Sequence, residues 1–434
     1  MNGLVEMPSG GTAPSSPGIG EITPRRQRRR HRLADALLRC LVLGCLFGGA
    51  GWSWWCWQSP EHRAARALSA GDANDFETIR YQLLGLQAMP AVEAEANLLS
   101  GKLLLARNDP ERALYDFAVA ATKPAIQPRA LVLTGACLYQ TGHLLEAGKD
   151  WAAAIKLDSQ NADAYRWLGV AYYDLGAVEL ARDALKKAAE LAPDDPGPHR
   201  LIGLICTDNA DPQGAVAAYR EALRRAPERD DNDEIRLRLA DVLHRVHQEV
   251  EALNVLAECP SSPEVLAYRA ECEFSLGNDA PAWQMLEQSL REDEELVRAL
   301  GLKGKMLLKN RQYAAAVQSL ETAFKLAPKD AAILYDLQIA YQRTNQRDKV
   351  AEFERRLKEI DRLEAEYGAL TDEARRDLQD SQLRYRLGMA AVRLEKFPLA
   401  KKWFEVALGL DPTNADARSA LNRIKWPAQM KARY

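Results

Sequence analysis

A chain of 434 residues with 58 Lys and Arg against 61 Asp and Glu carries a formal net charge of −3. That length holds two or three ordinary domains or one long repeat array, and the scarcity of aromatic residues (8 Phe, 9 Trp, 14 Tyr) suits helices better than a sheet-rich fold. Residues 1–39 hold seven Arg against Glu6, Glu21 and Asp35, a net of +4 that leaves −7 for the rest, and an acidic body argues against a general nucleic-acid binder. Seven cysteines cannot all pair, and without a C-x-x-C a zinc ribbon or thioredoxin-like site lacks its usual cue.

The first 33 residues, rich in Gly, Pro and Ser and ending in the arginine block, are expected to form a disordered, basic cytoplasmic tail. A transmembrane helix is predicted over 34–58. No charge interrupts Cys40 to Pro60, and an apolar run of about 20 residues spans a bilayer. Trp52, Trp54, Trp55 and Trp57 fall at its far end, where indoles favour the interface, and the preceding arginines place the N-terminus in the cytoplasm. Gly44 and Gly48 form a GxxxG, a helix-pairing face that would serve a homodimer. Two other readings stay open. Cleavage before Trp52, using the small Gly49 and Gly51, would release a soluble secreted or periplasmic protein, and the reverse orientation would suit an organelle import receptor. Residues 59–93 read as a degenerate helix pair linking this segment to the body.

From Ala94 a pattern recurs at 34 residues. Units starting at Ala94, Pro128, Ala162 and Pro196 place Gly101, Gly135, Gly169 and Gly203 at position eight, Ala113, Ala147, Ala181 and Ala215 at twenty, and Ala120, Ala154, Ala188 and Ala222 at twenty-seven. The phase slips at the acidic stretch 228–234 and resumes from Asp233, Pro263, Val297, Ala331 and Ser381. Only the Ala331 unit breaks the rule, with Gln338 at position eight. Small residues at fixed places in an otherwise bulky pattern mark where two helices approach closely.

This pattern resembles the tetratricopeptide repeat, whose period is about 34 residues. The resemblance implies an all-α fold: a right-handed α-solenoid of about nine helix-turn-helix repeats over 94–414, closed by a capping helix and tail over 415–434. Between Val350 and Ser381 the chain is longer than a unit needs. Leu357, Ile360, Leu363, Tyr367 and Leu370 follow one helix face, predicting a lengthened second helix and a new start near Thr371.

In such repeats, positions two, five, nine, twelve and thirteen face a concave groove. Carried over, they give Lys102, Leu105, Arg129, Val132, Tyr139, Gln140, Arg166, Val170, Tyr173, Asp174, Arg200 and Leu204. The partner-binding residues implied are Lys102, Arg129, Tyr139, Arg166, Tyr173 and Arg200, a basic and aromatic strip suited to an extended, partly acidic peptide. The Lys–Asn–Asn–Lys–Arg clamp of chaperone-binding relatives is not matched.

No P-loop, dinucleotide fingerprint or nucleophile elbow occurs, so neither an enzyme nor a cofactor is expected. His244 and His247 are three apart on a predicted helix, but with no third ligand nearby they read as a solvated pair and not a metal site. The expected role is a membrane-anchored scaffold for protein–protein interaction, of the kind that assembles envelope complexes, with its array on the outer side of a bacterial inner membrane.

Overall fold

The computed structural model describes residues 60–72, 75–86, 89–226 and 232–424. The predicted tail, the segment 34–58 predicted to cross a membrane, with Gly44 and Gly48, and the residues after 424 lie outside them. Among the described residues there are 21 α-helices and no strand, and no helix is long and apolar enough to cross a membrane. Helices α1 (Pro60–Asp72) and α2 (Phe76–Leu86) pair first.

Nine antiparallel pairs follow: α3 (Glu93–Ala106) with α4 (Pro110–Ala120), α5 (Gln127–Gln140) with α6 (Leu144–Leu157), α7 (Ala162–Asp174) with α8 (Val178–Leu191), α9 (Gly197–Asp208) with α10 (Pro212–Arg225), and α11 (Asn232–Arg245) with α12 (Glu249–Ala257). The series continues with α13 (Pro263–Ser275) and α14 (Asp279–Glu292), α15 (Val297–Lys309) and α16 (Tyr313–Leu326), α17 (Ala331–Arg343) and α18 (Arg347–Arg376), then α19 (Ser381–Arg393) and α20 (Phe397–Leu410). A final helix, α21 (Ala415–Arg423), caps the last pair. The first helices of neighbouring pairs touch one another in most of the stack, so they form its continuous inner face.

The small residues do what close packing requires. A Cβ added at Gly101, Gly135, Gly169, Gly203, Gly304 or Gly388 would come within 2.4–2.7 Å of the residue sixteen further on: Phe117, Trp151, Leu185, Tyr219, Leu320 or Phe404. Position eight is therefore the socket for the bulky side chain at position twenty-four of its own unit. All six of those side chains are at most 1 % exposed, and each contributes roughly 1.5–3 kcal/mol by burial. The alanines at position twenty are fully buried. The Ala331 unit departs as its Gln338 foretells: Glu354, at position twenty-four, is exposed, and Phe353 packs instead between Tyr341 and Phe324.

Each unit turns the same way between its helices. The fifteenth residue has positive φ in all nine: Asn108, Gly142, Gly176, Ala210, His247, Gly277, Arg311, Asn345 and Glu395. A single left-handed residue reverses the chain, and only three of the nine are glycine. Helix starts are fixed by side-chain caps, among them Asp109 accepting from Arg112 N–H, Asn161 from Ala164 and Asp380 from Leu383.

The new start expected near Thr371 does not occur. α18 runs unbroken for 30 residues, because Thr371 turns its hydroxyl back to the Tyr367 carbonyl (2.9 Å) and the apolar face continues through Leu370 and Ala374. Phe353 and Ile360 join the core of the seventh and eighth units. Leu370 and Ala374 join a different core that contains Val132, Leu144 and Trp151 of the second unit, Leu175 of the third, and Leu383, Leu387, Trp403 and Val406 of the ninth. The array thus folds back on itself, with its last unit seated against the second and third and the end of α18 reaching the fourth through Arg375 and Asn209.

Candidate functional site

The inner face divides into two halves. Its open half is a groove of ≈ 730 Å³ lined by Lys102, Arg129 and Arg166 with Leu98, Leu99, Val132 and Trp167. Three of the six residues expected to bind a partner therefore meet here, from positions nine, two and five of successive units. Trp167 stacks on the buried Trp151 (5.7 Å between centroids, 11° between planes), which fixes the apolar wall of the groove. The sequence pattern missed the counter-charges. Asp158, Asp163 and Asp195 also line the groove, and Arg166 Nη2 donates to Asp163 Oδ1 at 2.6 Å. The strip is a field of mixed sign and not a basic one. Asp158 and Asp195 come from the connections between units, outside the five positions that the repeat pattern assigns to the groove, whereas Asp163 holds position two of the Ala162 unit and was left out of the strip.

The other half is covered. Tyr139 and Tyr173, at position twelve of their units, lie beneath the ninth unit. The Tyr139 hydroxyl donates to Asp174 Oδ2, and Tyr173 donates to Asp208. Lys402 of α20 donates to Asp174 Oδ1 at 2.6 Å and places its ammonium 4.1 Å from the centre of the Tyr173 ring. Burial, reinforced by these carboxylates, pushes both phenols above their ordinary range. Trp403 lies beside Gly176, and its indole N–H donates to Tyr367 Oη at 2.9 Å. Arg375 Nη2 donates to Asn209 Oδ1 at 2.7 Å.

Arg384 lies in the same seam with no exposed surface. Its Nη2 donates to the carbonyls of Leu175 (3.0 Å) and Ala374 (3.1 Å), while Nε and Nη1 find no hydrogen-bond partner and the guanidinium lies 5.8 Å from the centre of the Trp403 ring. Burial pushes its pKa down. At the edge, a Cβ on Gly409 would lie 2.4 Å from the Gly142 carbonyl, so the backbones meet there without room for a side chain. Of the remaining expected residues, Arg200 is half-buried on α9, away from the groove of the first three units.

Further along the inner face, a pocket of ≈ 370 Å³ is lined by Lys305, Gly301, Ile333 and Asp336, among others. Burial pushes Asp336 up to about 6, and its Oδ2 is buried without a hydrogen bond. The two histidines do not share a helix face. α11 ends at Arg245, and His247 sits in the left-handed turn at φ 60°, 90 % exposed at its side chain. Both instead lie within 3.8 Å of Glu249. Among the described residues no group of three or more His, Cys, Asp and Glu could hold a metal ion.

Models of the tetratricopeptide repeat match residues 135–176, 162–195, 297–330 and 381–414. The chain contains tetratricopeptide repeats. The matches beginning at 162, 297 and 381 start where the 34-residue register places units, and the paired helices with a common turn supply the repeats' helical-hairpin form. Similar solved structures include one from a functional characterisation of Pseudomonas aeruginosa PilF (22 % identity, 46 % of this chain and 91 % of that one, TM-score 0.38). Another is a tetratricopeptide repeat protein from Parabacteroides merdae (18 % identity, 57 % and 98 % covered, TM-score 0.40). A third is YrrB, described as a tetratricopeptide repeat protein with an unusual peptide-binding site (17 % identity, 49 % and 93 % covered, TM-score 0.30). No curated protein matches the chain. Tetratricopeptide repeat proteins typically mediate protein–protein interactions, and the family is generally non-enzymatic.

Proposed function

We propose that this protein is a membrane-tethered scaffold that holds an extended segment of a partner protein in the open half of its groove, in the service of assembling an envelope complex. The observation that carries the reading is the convergence of Lys102, Arg129 and Arg166 on an apolar wall made by Leu98, Val132 and Trp167. A segment in extended conformation would set an apolar side chain against Trp167 and an acidic neighbour toward Lys102 and Arg129. The aspartates opposite would receive its basic groups, so the preferred ligand carries mixed charge.

Selection of random peptides on the immobilised full chain tests this. Selected peptides should share an apolar anchor flanked by an acidic residue, and Arg129→Glu/Arg166→Glu should weaken them by at least about ten-fold. Peptides that bind the double variant as well as the parent would place the ligand elsewhere.

The tether rests on the uncharged run that begins at Cys40 within the segment 34–58, the arginines up to Arg39 and the tryptophans from Trp52. Protease added to spheroplasts should digest the array while the N-terminal tail survives. Digestion of the tail instead would reverse the orientation and favour the import-receptor layout. A mature N-terminus near Trp52 would replace the anchor by a cleaved signal.

A further inference from the structure

The covered half of the inner face is built as a receptor for an ammonium group, and the chain fills it with its own. Asp174 is 6 % exposed; Tyr139 of the second unit donates to it, Lys402 of the ninth pairs with it, and the Tyr173 ring of the third lies under that ammonium. A carboxylate held by one phenol, with the face of another ring against the ammonium it receives, is the chemistry that recognises a lysine side chain. The helix that brings Lys402 there meets the surface along one stripe. Lys402, Val406 and Gly409 recur at four and three on α20, and Gly409 allows the close approach to the Gly142 carbonyl.

The seat also carries a term that opposes closure. Arg384 is sealed in the seam with two of its guanidinium nitrogens lacking a hydrogen bond, a charge that returns to water when the ninth unit lifts. Lys402 remains 33 % exposed at the rim of the contact, where solvent and a competitor can reach it.

We propose that Asp174, Tyr139 and Tyr173 form a docking site for a lysine on an amphipathic helix, held in the closed array by the chain's own last unit and surrendered to a partner helix of the same chemistry when that unit swings away. This site is separate from the open groove, so it stands or falls independently of the ligand assigned there.

The test uses the full chain and, as probe, a labelled synthetic peptide of residues 397–410. Gly409→Leu drives a side chain into the Gly142 carbonyl and should wedge the seam open while leaving every docking residue in place. With Lys402→Ala added, the internal competitor is gone. X-ray scattering should show a larger radius of gyration for the wedged chain than for the parent, at unchanged helix content. Gly148→Leu, a position with nothing within 4 Å of the added Cβ, should leave the shape alone. The peptide should bind the double variant at least about ten-fold more tightly than the parent. Acetylation of the peptide at Lys402 but not at Lys401, or Asp174→Asn in the receptor, should abolish that gain.

Equal binding to parent and variant, or binding indifferent to acetylation, would overturn the proposal. So would a parent chain that is already extended in solution. If Gly409→Leu loses helix content, Lys402→Glu carries the same comparison without the wedge.

Discussion

Gly135→Ala adds one methyl group at the position-eight socket of the second unit, where its Cβ would lie 2.4 Å from Trp151 Nε1 and 2.7 Å from Cε2. Ordinary contact begins near 3.4 Å, so the indole must retreat by roughly 1 Å. It has nowhere to go: Trp151 is fully buried, stacked on Trp167, and donates its N–H to the Val132 carbonyl at 3.0 Å. Overpacking costs about 1–3 kcal/mol, and an indole N–H pulled off its only acceptor about 1–3 more. Better helix propensity returns about 1 kcal/mol, so the net loss should be about 1–5 kcal/mol.

Gly148→Ala on the facing helix α6 is the control, since nothing lies within 4 Å of its added Cβ. It should stabilise by about 0.5–1 kcal/mol. Repeat arrays open locally, so hydrogen exchange of residues 128–161 read by mass spectrometry is the appropriate assay. The opposite signs are the test. A neutral or stabilising Gly135→Ala would show that the socket is not close-packed and would remove the explanation given for the small-residue pattern.

Three further outcomes follow from particular residues. Ala210→Gly relieves a left-handed alanine at φ 53° and should slow exchange of the fourth unit, by about 0.5–1 kcal/mol once glycine's added chain entropy is deducted. Asp336 has a folded-state pKa raised to about 6, so its favourable contribution is complete below the unfolded value near 3.8 and lost as pH rises through about 6. Asp336→Asn should therefore stabilise the seventh and eighth units at about pH 7.5 and do nothing at about pH 4. The gain is about 1 kcal/mol after allowing for water in the adjoining pocket, and chemical denaturation at the two pH values would measure it. Trp403→Ala removes a 6 %-exposed indole from the seam and should cost about 3–5 kcal/mol, with faster exchange confined to the ninth unit and to residues 139–144 and 174–177.

Much of the fold was legible because its determinants are local and periodic. Gly101, Gly135, Gly169 and Gly203 repeat at 34 residues because each serves the same contact within its own unit, sixteen residues downstream. The common turn at position fifteen was not legible. Ala210, Arg311 and Glu395 carry the left-handed residue without any of the usual residue signals, since the two helices they join are already fixed by packing. The groove was half legible. Lys102, Arg129 and Arg166 follow from repeat position, but Asp158 and Asp195 reach the same groove from the connections between units. Tyr139 and Tyr173 were placed on the inner face without any sign that Lys402, more than two hundred residues away, would cover them.

That last omission has a physical cause in α18. Its 30 residues span about 45 Å, against 14 residues, or about 21 Å, for the second helix of the unit before it. Phe353 and Ile360 anchor one end of this rod in the eighth unit, and Tyr367, Leu370 and Ala374 carry the other end into the seam. The ninth unit grips that far end through Arg393 to Glu366, Lys396 to Glu364 and Arg386 to Glu373, and so is held well beyond the place a regular repeat would occupy. The regular pattern of the other units generates an inner face open along its length. One lengthened helix is enough to bring the end of the array back across it, and the apolar spacing of 357–370 carried that length in the sequence without saying what it would reach.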